Sequence, residues 1–209
     1  VVFSGQMGQY VPDSFTGRVV IDLCDVDSAK FESYAAAGER VWLNAREARL
    51  LGIEEERLGA RADATILISQ AEAALYRSRL VAPDKANIQV IGNGIDASLF
   101  APGAVAPHPD IARAPGPHFV FTGQMDYRPN EQAALWVIRK LWPALRVRFP
   151  NATFHIVGRS PTRALTACHG LPGVHVWGAV RDVRPFVAAA DAVLAPLLIA
   201  RGVQNKVLE

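Results

Sequence analysis

The hydrophobic positions in the second half of the chain form three short runs, and each run ends in a glycine. The runs cover residues 119–123, 154–158 and 174–178 and end at Gly123, Gly158 and Gly178. The intervals between them leave room for a helical crossover, as a parallel sheet requires. Ligands of open α/β sheets bind beyond the carboxyl ends of the strands, where glycine lets backbone amides approach a phosphate or a sugar. One such glycine alone is more typical of an ordinary turn, so the prediction of a shared crevice depends on all three.

The first half of the chain alternates between apolar runs and helical periodicity. The predicted elements are a strand at 18–24, a helical stretch at 28–60 with a break near Gly38, a strand at 64–69, a helix at 70–80 and a strand at 88–92. Ser69 and Glu72 match the capping box, in which the serine accepts from an early helix amide and the glutamate reaches back. Asn93 and Gly94 tolerate positive φ and predict a turn after the last strand.

The second half continues the alternation of strands and helices. An apolar stripe at steps of three and four predicts a helix that begins near Pro129 and contains Pro143, where proline can kink it. The stripe consists of Leu135, Ile138, Trp142, Leu145 and Phe149. Asp182 is the predicted N-cap of a helix at 183–190. The fully apolar run at 192–196 is typical of a central parallel strand.

Composition indicates an ordinary globular protein of two small domains. The 209 residues are 50% apolar and 20% charged, and the net charge of +2 comes from interleaved residues that form no nucleic-acid-binding signature. Cys24 and Cys168 match no metal or redox spacing and are expected to be reduced and buried. The longest apolar stretch, 186–200, is too short and too interrupted to span a bilayer. Five prolines at 101–117 place the domain boundary there.

The order of the motifs resembles the GT-B glycosyltransferases of family four. The matching stretches are IQVIGNGID, FVFTGQM, FHIVGRSP, VHVWGAVRDVRPFVAAADAVLAPL and NKVLE. Asn93-Gly94-Ile95-Asp96 is similar to the NGVD segment that joins the two domains of that fold. The segments 25–28, 123–130 and 202–209 are closer still to the sugar transferases associated with exosortase and exopolysaccharide systems.

The resemblance implies an α/β fold with two Rossmann-like parallel-sheet domains. Residues 1–104 would be the C-terminal part of the acceptor-side domain, and residues 105–209 the domain that binds the nucleotide sugar, with a linker at about 97–117. Compared with the family, the N-terminal domain is incomplete and the C-terminal domain is truncated. We therefore expect an internal fragment that is inactive by itself.

The resemblance also implies a donor site on the second domain. Transfer in the family retains the anomeric configuration, usually without a metal, so cations and helix amides must neutralise the departing diphosphate. The family places an arginine directly after the first glycine, where this chain has Gln124, and pairs two glutamates where this chain has Arg201 and Glu209. Glu209 would accept hydrogen bonds from the ribose. The implied donor-binding residues are Gly123, Gln124, Arg128, Gly158, Arg159, Gly178, Val180, Arg201, Lys206 and Glu209.

Asp25 and Asp27 are the candidate catalytic residues, since they follow a first-domain strand near the place of a donor-contacting histidine in related enzymes. A carboxylate there could orient a hydroxyl or accept the acceptor's proton, or it could simply cap the helix that begins near Ser28. The remaining candidates are assigned to packing, because no metal-ligand spacing or ligand-facing pattern sets them apart. These residues are His118, His155, His175, Phe121 and Trp177.

We expect a hexosyltransferase that moves a sugar from a nucleotide-diphosphate sugar to a glycan or polyprenyl-linked acceptor in exopolysaccharide or cell-surface polysaccharide biosynthesis. It would be cytoplasmic, either free or in peripheral contact with the inner face of the membrane, with no cofactor, metal or nucleic acid. A nucleotide-sugar epimerase and a non-catalytic nucleotide-binding module remain alternatives. A dinucleotide-dependent oxidoreductase is disfavoured, because no strand continues as G-x-G-x-x-G with an acidic residue downstream.

Overall fold

The computed structural model describes residues 1–197 and 205–208 of the chain. These residues form two four-stranded sheets in which every strand pair is parallel. Residues 1–94 cluster into unit 1, and the described residues from 95 onward cluster into unit 2. The predicted α/β fold with two Rossmann-like sheets is confirmed. Residues 95–104 group with unit 2, although the sequence assigns them to the first domain, and the roles of the two domains stay predictions.

Unit 1 has the strand order β1-β2-β3-β4. Its elements are β1 (Val2–Phe3), a 3₁₀-helix (Gly5–Tyr10), β2 (Val20–Cys24), α1 (Asp27–Ala36), α2 (Val41–Arg61), β3 (Ala64–Leu67), α3 (Gln70–Arg79), a 3₁₀-helix (Pro83–Lys85) and β4 (Ile88–Val90). The predicted break at Gly38 separates α1 from α2, with a φ of 79°. Strand β1 was not predicted, because two residues carry no readable alternation. The core of unit 1 contains Ile21, Leu58 and Tyr76.

Two predicted details of unit 1 are wrong. The Ser69 hydroxyl accepts from the Glu72 amide at 3.1 Å, but the Glu72 carboxylate does not complete the capping box. It accepts the Val26 amide at 2.9 Å instead, since that buried amide at the start of α1 needs an acceptor. The turn at Asn93 and Gly94 is absent, because neither residue is among the described residues with positive φ.

Unit 2 has the strand order β7-β6-β5-β8. Its elements are α4 (Pro109–Ala112), β5 (His118–Thr122), α5 (Arg128–Trp136), a π-helical turn (Val137–Leu141), α6 (Trp142–Arg148), β6 (Thr153–Val157), α7 (Arg163–Thr166), β7 (Val174–Gly178), α8 (Arg184–Ala188), β8 (Ala192–Val193) and α9 (Asn205–Leu208). The strand predicted to be central is β8, which lies at the sheet edge within the described residues. Asp182 accepts the Arg184 amide at 3.0 Å, but α8 begins two residues after it.

Pro143 does not end the helical stretch that begins at Arg128. Proline lacks an N–H, so the carbonyl four residues earlier loses its usual helical partner. The helix widens instead over the π-helical turn, where the Trp142 amide donates to the Val137 carbonyl five residues back. Four residues of the predicted stripe, Leu135, Ile138, Trp142 and Leu145, lie in or against the core of unit 2, whereas Phe149 is 40% exposed. Phe121 is fully buried, as expected.

Polar side chains on the opposite face of this sheet form a hydrogen-bond chain. The Trp177 indole lies 3.1 Å from His155 Nδ1, and His155 Nε2 lies 2.8 Å from Thr153 Oγ1. The Thr153 hydroxyl lies 2.7 Å from His118 Nδ1, and His118 Nε2 lies 3.1 Å from the Ala114 carbonyl. An indole can only donate and a carbonyl can only accept. His155 Nδ1 therefore accepts from the Trp177 indole, and the neutral His155 ring donates from Nε2 to the Thr153 hydroxyl. At the other end, His118 Nε2 donates to the Ala114 carbonyl.

His155 has a strongly lowered pKa of about 3. Burial is the main cause, and the neighbouring His175, His118 and His108 add to it. A proton on Nδ1 would also oppose the indole N–H of Trp177. The expectation that these histidines pack, rather than catalyse, agrees with this arrangement.

We expect unit 2 to lose stability as the pH falls from about 6.5 to about 3. The unfolded state takes up a proton at His155 below its usual pKa, while the folded state does not. The free energy of unfolding should therefore fall by about 1.4 kcal/mol per pH unit for this one group. Urea unfolding at several pH values measures the slope, and His155→Asn should reduce it by about one proton. An equal slope in that variant would assign the pH dependence to other groups.

Candidate functional site

The three strand-end glycines lie side by side at the carboxyl edge of the unit 2 sheet. The Gly123 amide donates to the Val157 carbonyl at 3.1 Å, and the Gly158 amide donates to the Gly178 carbonyl at 2.9 Å. Their φ angles are 153°, 155° and 72°, which side chains rarely adopt. The structure thus brings the predicted glycines together, and their role in binding stays a prediction.

At Gly158, this edge of the sheet has no room for a side chain. A Cβ atom on Gly158 would lie 1.6 Å from the Gly123 carbonyl oxygen, so the backbones of two neighbouring strands leave no room for it. A Cβ on Gly123 would lie 2.7 Å from Asn130 Nδ2 and 3.4 Å from Lys206 Nζ. The absence of side chains at this edge therefore lets polar groups from elsewhere in unit 2 approach the strand ends.

Gly158→Ala is expected to destabilise unit 2 by at least about 1–3 kcal/mol, the usual cost of a strained backbone, with the steric clash adding to it. Gly94→Ala, at the end of unit 1, is the control for an added Cβ atom, because that atom would meet nothing within 4 Å. Urea unfolding followed by tryptophan fluorescence compares the two variants. Equal free energies of unfolding in the two variants would show that the ends of β5 and β6 can move apart without destabilising unit 2.

Lys206 reaches this edge from α9. Its ammonium donates to Asn130 Oδ1 at 2.7 Å and lies 4.7 Å from the centroid of the Phe121 ring, within the range of a cation–π interaction. Asn130 is 6% exposed and was not predicted as a site residue. The sequence signal was ambiguous, since Pro129-Asn130 is equally typical of the start of a helix.

Arg159 supplies a second cation at the same edge. Its guanidinium donates to Gln124 Oε1 at 2.6 Å, and its carbonyl accepts the Met125 amide at 2.9 Å. Gln124 stands where the family pattern has an arginine. The structure thus brings the Arg159 guanidinium, from the loop after β6, into contact with Gln124, the residue that replaces the family's arginine.

The other predicted donor-site residues are less closely grouped. Arg128 is exposed at the first position of α5, and Val180 is half-buried against the apolar cluster that contains Phe186. Arg201 and Glu209 lie outside the described residues. Within the described part of the chain, no group of three or more His, Cys, Asp or Glu side chains could hold a metal ion.

The candidate catalytic residues lie in unit 1, after β2. Asp27 is the first residue of α1 and forms an ion pair with Lys30. Asp25 and Asp27 both line a cavity of about 40 Å³ together with Glu54 and Glu55. The N-cap of α1 is Val26 and Asp27 is its first residue, so neither aspartate occupies the N-cap position itself.

Two buried glutamates from other helices bind the start of α1 instead. Glu72 from α3 accepts the Val26 amide, and Glu55 from α2 accepts the Ser28 amide at 2.9 Å and the Ser28 hydroxyl at 2.5 Å. Burial raises the pKa of Glu55, although the bonds from Ser28 oppose this shift. Sequence reasoning missed both roles, since partners more than twenty residues away carry no local signal.

Glu72→Ala should destabilise unit 1 by about 1–3 kcal/mol, because it leaves the buried Val26 amide without its acceptor. Glu32→Ala removes only an exposed ion pair with Arg79 and should change the stability by less than about 1 kcal/mol. Chemical unfolding followed by far-ultraviolet circular dichroism measures both. Similar losses in the two variants would show that the Val26 amide does not depend on Glu72.

Comparisons with known proteins place this geometry in context. Residues 116–209 match the family model described as Glycosyl transferases group 1. Comparison with curated protein sequences gives no significant match. No helix within the described residues is long and apolar enough to cross a membrane.

Three solved structures of HepE from Anabaena resemble the chain at 19% identity over 84% of its length. They are a complex with UDP and glucose (TM-score 0.53), one with UDP-glucose (0.54) and one with UDP (0.52). The chain spans 45%, 46% and 46% of these structures, respectively. The exosortase association implied by the resemblance is not shown by any of these matches. Residues 116–209 thus resemble a glycosyl transferases group 1 domain, in a chain whose fold is similar to that of these HepE structures.

Proposed function

We propose that the chain is part of a retaining hexosyltransferase. It would use a nucleotide-diphosphate sugar and a glycan or lipid-linked acceptor in exopolysaccharide or cell-surface polysaccharide biosynthesis. The observation that carries this proposal is the Lys206 ammonium, which Asn130 holds beside the glycine edge of a group 1 domain. The UDP and UDP-glucose complexes of the similar HepE structures support a nucleotide-sugar donor.

The chemistry of the proposed reaction requires cations at the diphosphate. Negative charge grows on the leaving diphosphate as the glycosidic bond breaks, and groups placed beforehand stabilise it best. Lys206 and Arg159 meet this need at the strand edge, since Asn130 and Gln124 already hold them in place. A charge-assisted hydrogen bond to phosphate is about twice as strong as a neutral one.

The other predicted residues receive supporting roles in this proposal. Gly123, Gly158 and Gly178 admit the diphosphate and the sugar to the backbone, and Val180 contacts the nucleobase. Arg128 and Arg201 add positive charge at the diphosphate, and Glu209 binds the ribose. This assignment rests on the family resemblance and on the glycine edge.

Asp25 or Asp27 is proposed to handle the acceptor. A carboxylate after a parallel strand can orient a hydroxyl and take its proton. Asp27 is held at the start of α1 by its ion pair with Lys30. A cytoplasmic location and a peripheral membrane contact belong to the same proposal and rest on the resemblance alone.

Lys206→Ala should weaken UDP binding by about 1–3 kcal/mol, or roughly 5- to 150-fold, if the ammonium bonds to phosphate. Lys140→Ala is the matched control, because Lys140 is exposed on the π-helical turn. Isothermal titration of the chain with UDP and with UMP measures the effect, which should be larger for the diphosphate. Absence of UDP binding at millimolar concentration, or equal affinities in both variants, would contradict the proposal.

A transfer assay on the full-length protein tests the reaction itself. Release of UDP from UDP-glucose that depends on an added glycan or lipid-linked acceptor supports the transferase. Conversion of the sugar to an epimer without an acceptor, or binding without any turnover, would favour one of the two alternatives.

A further inference from the structure

Asn130 uses both ends of its side-chain amide at the strand edge. Its Oδ1 atom accepts the Lys206 ammonium at 2.7 Å, and its Nδ2 atom donates to the Gln124 carbonyl at 3.0 Å. Its backbone amide donates to the Tyr127 carbonyl at 2.9 Å. At 6% exposure, the residue is held almost wholly inside unit 2.

The partners of Asn130 fix the direction of its amide. An ammonium can only donate and a carbonyl can only accept, so exchanging the oxygen and nitrogen of the amide would break both bonds. The side chain therefore has one orientation in which it is fully bonded. In that orientation, the oxygen faces Lys206 and the nitrogen faces the loop that follows Gly123.

This arrangement has a consequence for the lysine. A lysine side chain is flexible and loses much rotational freedom when it is held in one place. The Asn130 oxygen and the Phe121 ring hold the ammonium through neutral groups, so neither contact cancels its charge. Lys206 therefore loses this rotational freedom on folding and not on ligand binding. The entropic cost of binding the ligand is lower as a result.

We propose that Asn130 is a positioning residue of the donor site, which aims the Lys206 ammonium and joins it to the Gln124 backbone as one unit. The inference rests on the proposed function, because it assumes that Lys206 meets a diphosphate. Asn130 itself need not touch the donor. It acts through Lys206 and through the loop after β5.

The amide is better suited to this role than a carboxylate. An aspartate at position 130 would also accept from Lys206, but it would place a negative charge beside the phosphate site. It would also face the Gln124 carbonyl without a hydrogen to donate. Asn130→Asp should therefore weaken UDP binding at least as much as Asn130→Ala, although it preserves the size of the side chain. A role in packing alone predicts the opposite order.

A double-mutant cycle on UDP binding tests the proposal. Asn130→Ala should weaken UDP binding by about 10-fold, corresponding to about 1.4 kcal/mol. The double variant with Lys206→Ala should bind within about twofold of Lys206→Ala alone, because Asn130 acts through the lysine. Multiplied effects in the double variant would overturn the inference.

Two controls separate positioning from a general loss of structure. Uridine has no phosphate, so its affinity should stay within about twofold in Asn130→Ala; an equal loss for uridine and UDP would overturn the inference. Asn151→Ala removes an exposed asparagine of the same unit and should leave UDP binding unchanged.

A readout without ligand separates failure of the inference from failure of the proposed function. The chain has four lysines, at positions 30, 85, 140 and 206, so a ¹⁵N spectrum of their ammonium groups is readily assigned with Lys206→Arg. Asn130→Ala should shift the Lys206 signal or remove it through faster exchange with water, and leave the other three unchanged. An unchanged Lys206 signal would overturn the inference even if UDP binds, and a changed signal without UDP binding would refute only the proposed function.

Discussion

The candidate donor site depends on the contact between the backbones of Gly123 and Gly158. A single Cβ atom on Gly158 would lie 1.6 Å from the neighbouring carbonyl oxygen, so the two strand ends cannot close in this way with any other residue. That close approach brings the loop after β6 against the loop after β5, where the Arg159 carbonyl binds the Met125 amide. The positions of Arg159 and Gln124 therefore follow from the absence of side chains at the sheet edge.

The sequence was most informative where a local pattern and a single physical requirement coincide. The glycines at the ends of β5, β6 and β7 combine a buried strand with a backbone that must leave the sheet, and all three were predicted. Asn130, Glu55 and Glu72 were not, because their partners lie far away in the chain. A buried polar group is placed by whichever orphaned donor or acceptor the fold brings to it, and spacing cannot reveal that donor.

Hydrogen bonds hold negatively charged side chains in unit 1 and a positively charged side chain in unit 2. In unit 1, the carboxylates of Glu55 and Glu72 are buried, and helix amides compensate them at the start of α1. In unit 2, the ammonium of Lys206 is held by a neutral amide and an aromatic ring. In the first arrangement, the charged groups bind backbone amides inside unit 1. The second places the Lys206 ammonium at the strand edge, where the proposed diphosphate would bind.

The hydrogen-bond chain from Trp177 to Ala114 links the three strands that end in glycine. It crosses β7, β6 and β5, with an indole that can only donate at one end and a carbonyl that can only accept at the other. A shift of one strand by one residue would turn His155 to the opposite face of the sheet and break the chain. The register of the three strands is thereby locked through polar groups, where apolar side chains of similar size would allow slippage at lower cost. The register of β5 and β6 runs unbroken to Thr122 opposite Val157, so that Gly123 and Gly158 follow together, whereas a register shift after Ile156 places Gly178 opposite Val157.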